Sequence, residues 1–157
     1  PIYRNGTIGE AKKHLEQTAN ALNQRLGRRD GRALISVNKA LVTRASAVIP
    51  AVPLYIALLY RVMKERDLHE ACFQQIDRLF RDYLYTDNPL PTDSEGRIRL
   101  DDREMLPEVQ EEVRKRWRQV TSENVERLSD IEGFRDEYLR YHGFGVPGID
   151  YAAEVQV

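Results

Sequence analysis

A tyrosine and a lysine near the start of the sequence are spaced so that they could act on one reactive group. The chain opens with PIYRNGTIGEAKK, in which Tyr3 and Lys12 are nine positions apart with Gly6 and Gly9 between them. Nine residues of a regular α-helix turn by about 900°, which would put the two side chains on opposite faces. They can meet only if the helix begins between them, where the glycines allow the chain to bend.

Such a pair has a recognisable chemistry. A lysine ammonium beside a tyrosine hydroxyl lowers the pKa of the phenol and suits it to donate a proton to a developing enolate. The simpler interpretation is that Tyr3 packs against its neighbours and that Lys12 is solvated. Spacing alone favours this simpler interpretation.

The predicted helix that would carry the lysine is well marked. Thr7 followed three residues later by Glu10 forms a capping box, which predicts a helix from about Ile8 to Leu26. An apolar stripe at helical spacing supports it: Ile8, Ala11, Leu15, Ala19, Leu22 and Leu26. Lys12 lies at the edge of this stripe. Lys13 points towards the polar face, as a solvated helix lysine does.

A strand and two helices are predicted next. The short β-prone run Ala33–Val37 suits a buried strand. Residues 38–49 form the loop leaving it and the start of a helix, which Pro50 and Pro53 interrupt before it continues to about Glu65. The apolar stretch Ala45–Tyr60 is too short and too broken to span a bilayer comfortably, and reads as buried or ligand-facing.

The remainder is mostly helical. We predict an amphipathic helix over Leu68–Tyr85, a short strand in RIRL, a helix over Pro107–Val120 with Trp117 in the core, a short helix in SENVERLSD and a helix over Gly133–His142. The tail GIDYAAEVQV could form a final strand. A single buried strand cannot satisfy its own edges, so either its partner strands come from elsewhere, which suggests a fragment, or the strand predictions are wrong.

Composition excludes several classes of function. The 157 residues suit one globular domain, and a net charge of −1 gives no reason to expect nucleic acid or an anionic membrane as partner. The single cysteine, Cys72, forms no internal disulfide, which favours a reducing compartment, and it reads as a buried core thiol. The three histidines lack metal-ligand spacing, so no metal site is predicted.

Several longer motifs together resemble one family. They are IYRNGTIGEAKKHLE, the run from SVNKALVTRASAVIP to QQIDRLF, EGRIRLDDREM and GFGVPGIDYAAEV, which occur in order over nearly the whole chain. The sequence resembles the trans-2-enoyl-CoA reductases, also called FabV-type enoyl-acyl-carrier-protein reductases. The resemblance implies an α/β, Rossmann-type fold of the short-chain dehydrogenase/reductase superfamily, and NADH-dependent reduction of the 2,3 double bond of an enoyl thioester in fatty acid synthesis.

The resemblance also implies roles for individual residues. Tyr3 would be the proton donor that stabilises the enolate, and Lys12 would hold the nicotinamide ribose and tune Tyr3. Leu41, Val42 and Thr43 match the family's segment that contacts the nicotinamide end of NADH. The apolar stretch Ala45–Tyr60 would either cover the acyl chain or form plain helix core.

The family pattern is incomplete in this sequence. We expect residues 1–157 to be a single C-terminal portion of the reductase, with the N-terminal dinucleotide-binding part absent and the isolated chain inactive. The expected partners are that missing part and an enoyl thioester on coenzyme A or acyl carrier protein, in the cytoplasm. The alternative is a non-catalytic helical binding module derived from such a reductase.

Overall fold

The computed structural model describes residues 7–29 and 31–154. For Thr7 it describes the main chain and not the side chain. The chain divides into two compact units, one formed by residues 1–37 with 78–100 and the other by residues 38–77 with 101–157. The first unit contains α1 (Thr7–Leu26), a 3-10 turn (Gly27–Arg29), β1 (Ile35–Val37), a π-helical segment (Leu79–Leu84) and β2 (Arg97–Arg99). The second contains α2 (Arg44–Val48), α3 (Val52–Lys64), α4 (Cys72–Arg78, whose last residue belongs to the first unit), α5 (Pro107–Gln119), α6 (Val125–Leu128) and α7 (Ile131–Tyr141).

The first unit is built on a two-stranded parallel sheet. β1 pairs with β2 so that Ser36 lies opposite Ile98, and the Leu100 N–H extends the ladder by donating to the Val37 carbonyl at 2.8 Å. Both predicted strands are therefore confirmed, and each is the partner of the other. β1 is half-buried along its whole length, however, and not the buried strand that its apolar residues predict.

The predicted apolar stripe of α1 is not a core face in the described residues. The helix forms as predicted, and the Asn23 side chain ties its last turns to the main chain of Ala33 with bonds of 2.7 and 2.8 Å. Ile8, Leu15 and Leu22 nevertheless remain 42–53% exposed. Periodicity thus identified the helix correctly, while the burial of its stripe is not found.

The core of the second unit surrounds α3. This helix is apolar on nearly every side, with Val52, Ile56–Tyr60, Val62 and Met63 buried. One cluster joins Leu58, Leu59 and Met63 to Val109 and Val113 of α5, and the other joins Ile56 and Tyr60 to Val42 and the side chains of Phe134 and Tyr138 on α7. A helix that is apolar all round must be covered on all sides, and here α5 and α7 do so.

Several sequence predictions about burial and helix bounds are wrong. Trp117 is 40% exposed, because Arg116 is the residue of α5 that faces α3, where it pairs with Glu65 at 2.5 Å. Trp117 lies about 100° further round the helix. The helix predicted from Leu68 begins at Cys72, which is half-buried and not fully buried. Ile76 and Phe80, which share the apolar face of that predicted helix by their spacing, are 50% and 42% exposed.

The tail also differs from its prediction. Residues 143–154 form turns with no strand, and residues 155–157 lie outside the described part. Within the described residues, no helix is long and apolar enough to cross a membrane.

The position of α3 gives a prediction about stability. Leu59 is fully buried between α3 and α5, whereas Leu139 on α7 is 39% exposed. We expect Leu59→Ala to lower the free energy of unfolding by about 3 kcal/mol, because it leaves a cavity, and Leu139→Ala to lower it by less than about 1 kcal/mol. Urea unfolding followed by circular dichroism measures both, and equal losses would contradict the central position of α3.

Candidate functional site

The predicted site residues fall in different parts of the molecule. Tyr3 lies outside the described residues. Lys12 is exposed on α1 in the first unit, and Lys13 beside it pairs with Glu10 at 2.6 Å on the exposed helix surface, as a solvated helix lysine would. Leu41, Val42 and Thr43 belong to the second unit. The pairing of Tyr3 with Lys12 therefore stays a prediction.

Leu41–Thr43 lie in the loop that leaves the carboxyl end of β1, residues 38–43, which we call the β1–α2 loop. The three side chains differ in what they can offer to a ligand. The Val42 side chain is fully buried in the core beside α3, so only its main chain is available. Leu41 is half-buried and Thr43 is exposed, so their side chains can take part in binding.

The main chain of the β1–α2 loop is held by side chains instead of by a strand or helix. The N–H groups of four of its residues donate to side-chain oxygens: Lys39 to Gln75 at 3.2 Å, Ala40 to Glu104 at 2.6 Å, Val42 to Tyr60 at 3.3 Å and Thr43 to Ser46 at 2.7 Å. Main-chain donors away from water require such partners. The loop conformation is thus fixed by the tertiary structure of the second unit.

The last part of the loop is tied to the start of α2. Thr43 is the N-cap residue, and its hydroxyl accepts from the Ser46 N–H at 3.1 Å while the Thr43 N–H donates to the Ser46 hydroxyl. These two bonds form a reciprocal capping box. The Ser46 hydroxyl also lies 3.0 Å from the carbonyl oxygens of Leu41 and Thr43, either of which can accept its proton, so this buried serine contacts the loop at both residues.

A buried carboxylate, Glu104, holds the first part of the loop. One of its oxygens accepts from the Ala40 N–H, and the other accepts from the Tyr55 hydroxyl at 2.6 Å. Gln110 in turn donates to the Tyr55 oxygen at 3.1 Å and to the Glu104 carbonyl at 2.9 Å. Burial raises the pKa of Glu104 above its ordinary value, although the bonds from Tyr55 and Ala40 oppose the shift.

A second chain of polar contacts runs from the loop through Tyr60. Its hydroxyl accepts from the Val42 N–H and donates to Glu137 at 2.8 Å, and Glu137 lies 3.5 Å from His69 Nε2. Burial raises the pKa of Tyr60 far above its ordinary value, and the adjacent Glu137 adds to the shift. For Glu137 itself, burial acts to raise the pKa, but the hydrogen bonds from His69 and Tyr60 outweigh it and leave the pKa lowered.

Lys39 is the buried cation of this region. It is only 3% exposed, and its ammonium lies 4.2 Å from the centre of the Tyr60 ring and donates to the Ala40 carbonyl at 3.1 Å. Burial lowers the pKa of Lys39 to about 8, although Glu104, Glu137 and Glu70 favour its charged form. A lysine so placed balances the buried carboxylates around the loop.

Sequence reasoning missed these supporting residues. Tyr60 was recognised only as the last residue of an apolar stretch, and nothing in that pattern indicates what its hydroxyl contacts. Glu104 and Glu137 lie in polar, helical or turn-rich sequence that looks like solvated surface. Among the described residues, no group of three or more metal-ligating side chains could hold a metal ion.

Lys39 makes the stability of the second unit dependent on pH. The pKa of Lys39 is about 8 in the folded chain against an ordinary value of 10.5, so the unfolded chain holds the proton more tightly. The stabilising contribution is full above pH 10.5 and is lost as the pH falls through 8. We expect the free energy of unfolding, relative to that of Lys39→Met, to rise by up to about 3 kcal/mol between pH 7 and pH 10.5.

Denaturant unfolding at a series of pH values measures this difference. The matched control is Lys115→Met, which removes an exposed lysine from α5 and should leave the pH dependence unchanged. Parallel curves for the original chain and Lys39→Met would show that Lys39 keeps its ordinary pKa in the folded state.

Two family models match the chain. The trans-2-enoyl-CoA reductase catalytic region matches residues 1–85, and the enoyl reductase FAD binding domain matches residues 92–155. The first of these covers more than half of the sequence and includes all the predicted site residues. The second raises the question of whether its segment can hold a flavin dinucleotide.

The described second-unit part of that segment shows no glycine-rich cradle for the pyrophosphate of FAD. A dinucleotide pyrophosphate is usually held by main-chain N–H groups of a glycine-rich turn at the start of a helix. In the described residues 101–154, the N-terminus of α7 is already capped by the Asp130 carboxylate. Gly143, Gly145 and Gly148 stand in open space, where a side chain would meet nothing within 4 Å, so they form no close-fitting cradle. We therefore assign no step to FAD.

Curated relatives and solved structures agree on the family. The chain is 55% identical over 157 residues to an enoyl-acyl-carrier-protein reductase (NADH) of Coxiella burnetii, and 53% identical over 154 residues to that of Cytophaga hutchinsonii. It superposes with a TM-score of 0.94 on the trans-2-enoyl-CoA reductase of Clostridium acetobutulicum in complex with NADH, at 48% identity, and with a TM-score of 0.90 on that of Treponema denticola in complex with NAD, at 52% identity.

These matches cover nearly all of this chain but only part of the relatives. The alignments include 98–99% of the chain, 39% of either curated relative, and 39% and 38% of the two solved chains. The sequence therefore spans about two fifths of the length of the proteins that it matches. By its match to the catalytic-region model and its identity to these relatives, the chain belongs to the trans-2-enoyl-CoA reductase family.

Proposed function

We propose that the full-length protein reduces the 2,3 double bond of trans-2-enoyl thioesters with NADH, in fatty acid synthesis. The observation that carries this proposal is the 55% identity, over the whole chain, to a relative named as an NADH-dependent enoyl-acyl-carrier-protein reductase. The NADH and NAD complexes of the structural relatives support the choice of cofactor. The proposed fold of the whole protein is a Rossmann-type sheet to which the parallel pair β1–β2 would belong.

The proposed chemistry places Tyr3 and Lys12 at the reacting atoms. When bound, NADH supplies the hydride that adds to C3 of the enoyl thioester. The electron pair of the C2=C3 bond then forms a C1=C2 bond while the carbonyl π pair moves to the thioester oxygen, which gives an enolate. The Tyr3 hydroxyl stabilises this oxygen and supplies the proton that ends on C2 of the saturated thioester. Lys12 binds the nicotinamide ribose, and its positive charge lowers the pKa of the Tyr3 phenol, which makes Tyr3 a better donor.

The β1–α2 loop is the proposed contact for the nicotinamide end of NADH. Ligands of open parallel sheets bind beyond the carboxyl ends of the strands, which is where this loop begins. Its residues fit the role in different ways, since Val42 offers only its main chain while Leu41 and Thr43 also offer side chains.

The proposed substrate surface is the exposed end of the apolar stretch. Residues 56–60 of that stretch are buried core, whereas Ala45 and Val48 on α2 are exposed, Val48 by 77%. We assign the acyl chain to this exposed part. The thioester is carried by coenzyme A or by acyl carrier protein, the other partner is the remainder of the same polypeptide, and the proposed location is the cytoplasm.

Replacing the proposed proton donor tests the proposal. We expect Tyr3→Phe in the full-length protein to lower kcat by at least about 100-fold, because a positioned general acid contributes on this scale. The affinity for NADH should change much less, since the hydroxyl acts on the substrate. NADH oxidation with a short trans-2-enoyl-CoA gives kcat, and fluorescence titration gives the dissociation constant for NADH.

Lys13→Ala is a useful control for this experiment, because Lys13 is paired with Glu10 on the exposed helix surface. Equal losses of turnover and NADH affinity in Tyr3→Phe would indicate a packing role for Tyr3. An unmodified full-length protein that is inactive with both coenzyme A and carrier-protein thioesters would favour the non-catalytic binding module.

A further inference from the structure

We infer that Tyr60 and Ser46 are positioning residues that set the affinity for NADH by holding the main chain of the β1–α2 loop. The inference rests on the proposed function, in which this loop contacts the nicotinamide end of the cofactor. Neither residue needs to touch NADH itself. Each acts through a hydrogen bond to the loop, and the two bonds come from different helices.

Ser46 holds the loop from α2. Its hydroxyl accepts from the Thr43 N–H at 2.7 Å and lies 3.0 Å from the carbonyl oxygens of both Leu41 and Thr43, either of which can accept its proton. It therefore contacts both ends of the three-residue segment that is proposed to meet the cofactor. The serine is buried, so no solvent competes freely for these bonds. Without the hydroxyl, the Leu41 carbonyl would lose its contact with α2 and the Thr43 N–H would lose its acceptor, while the Thr43 carbonyl would keep its bond from the Ala47 N–H.

Tyr60 holds the middle of the loop from α3. Its ring lies in the core, and its hydroxyl reaches the Val42 N–H at 3.3 Å. The hydroxyl proton is donated to Glu137 at 2.8 Å, which leaves the oxygen lone pairs facing Val42 as acceptors. Glu137 is itself fixed by His69, at 3.5 Å, so the acceptor has a defined direction.

The packing of the second unit does not explain these two hydroxyls. A phenylalanine ring would fill the same space as the Tyr60 ring, and an alanine would fit where Ser46 lies. The hydroxyls fix the conformation of the loop main chain, because the N–H groups of Val42 and Thr43 donate to them. A binding loop that is already ordered loses less conformational entropy when its ligand binds, so its affinity for the ligand is higher.

Two pairs of matched variants in the full-length protein separate this role from general stability. Tyr60→Phe is compared with Tyr138→Phe, since Tyr138 packs against the same core cluster but its hydroxyl makes no hydrogen bond to the described loop residues. Ser46→Ala is compared with Ser129→Ala, which removes a buried hydroxyl that donates to the Val125 carbonyl on α6. Thermal unfolding reports the fold of every variant.

The measurements are the dissociation constant for NADH, by fluorescence titration, and the KM for a short trans-2-enoyl-CoA at saturating NADH. We expect Tyr60→Phe and Ser46→Ala each to weaken NADH binding by about fivefold or more, as the loss of one buried hydrogen bond implies. The KM for the thioester should stay within about twofold. Both control variants should bind NADH as the unmodified protein does.

Three outcomes would overturn the inference. NADH affinity could be unchanged in both loop variants, it could fall equally in the controls, or it could fall only in parallel with the melting temperature and the thioester KM. If one loop variant does not fold, the other decides the matter by itself. An unmodified protein that binds NADH but does not reduce the thioester would instead refute the proposed function, and the NADH titrations would still test the role of Tyr60 and Ser46.

Discussion

Four N–H groups of the β1–α2 loop, those of Lys39, Ala40, Val42 and Thr43, donate to side chains and not to the main chain of a strand or helix. These donors require partners, since a main-chain N–H left unsatisfied away from water costs about 1–3 kcal/mol. The molecule meets this requirement with side chains from α2, α3, α4 and the segment before α5. Four polar groups inside the second unit meet this need, namely the side chains of Ser46, Gln75 and Glu104 and the Tyr60 hydroxyl.

Because side chains supply the acceptors for the loop N–H groups, charged side chains are buried in the core of the second unit. Glu104 accepts a hydrogen bond from the Ala40 N–H, and Glu137 accepts one from the Tyr60 hydroxyl. Lys39 balances them from its place over the Tyr60 ring. The opposing shifts, a raised pKa for Glu104 and a lowered pKa for Lys39, have the same main cause, which is burial of the charged form.

This arrangement suits the chemistry of the family to which the chain belongs. Hydride transfer requires the two reacting carbons to be held close together and correctly aligned, and misplacement of the cofactor by a fraction of an ångström lowers the rate. In the proposed function, a loop whose main chain is fixed at four points would provide a rigid surface for one end of the cofactor.

The sequence by itself determined much of the local structure. The capping box and periodicity predicted α1, the two prolines predicted the break between α2 and α3, and the strands at Ile35–Val37 and Arg97–Arg99 were both recognised. The motif resemblance also identified the family, which the comparisons confirmed. These features depend on residues close together in the chain, where spacing and side-chain type carry the information.

Only the tertiary structure decided which side chains are buried and what they hold. Trp117 and the stripe of α1 look like core residues by periodicity and are partly exposed, while Lys39 and Glu104 look like surface residues and are buried. Two of the bonds that fix the β1–α2 loop join residues 36 and 64 positions apart, and the bond from Tyr60 to Glu137 joins residues 77 positions apart. No local sequence pattern predicts contacts between residues so far apart in the chain. A serine, tyrosine or glutamate is the same residue in the sequence whether its side chain contacts water or a main-chain N–H.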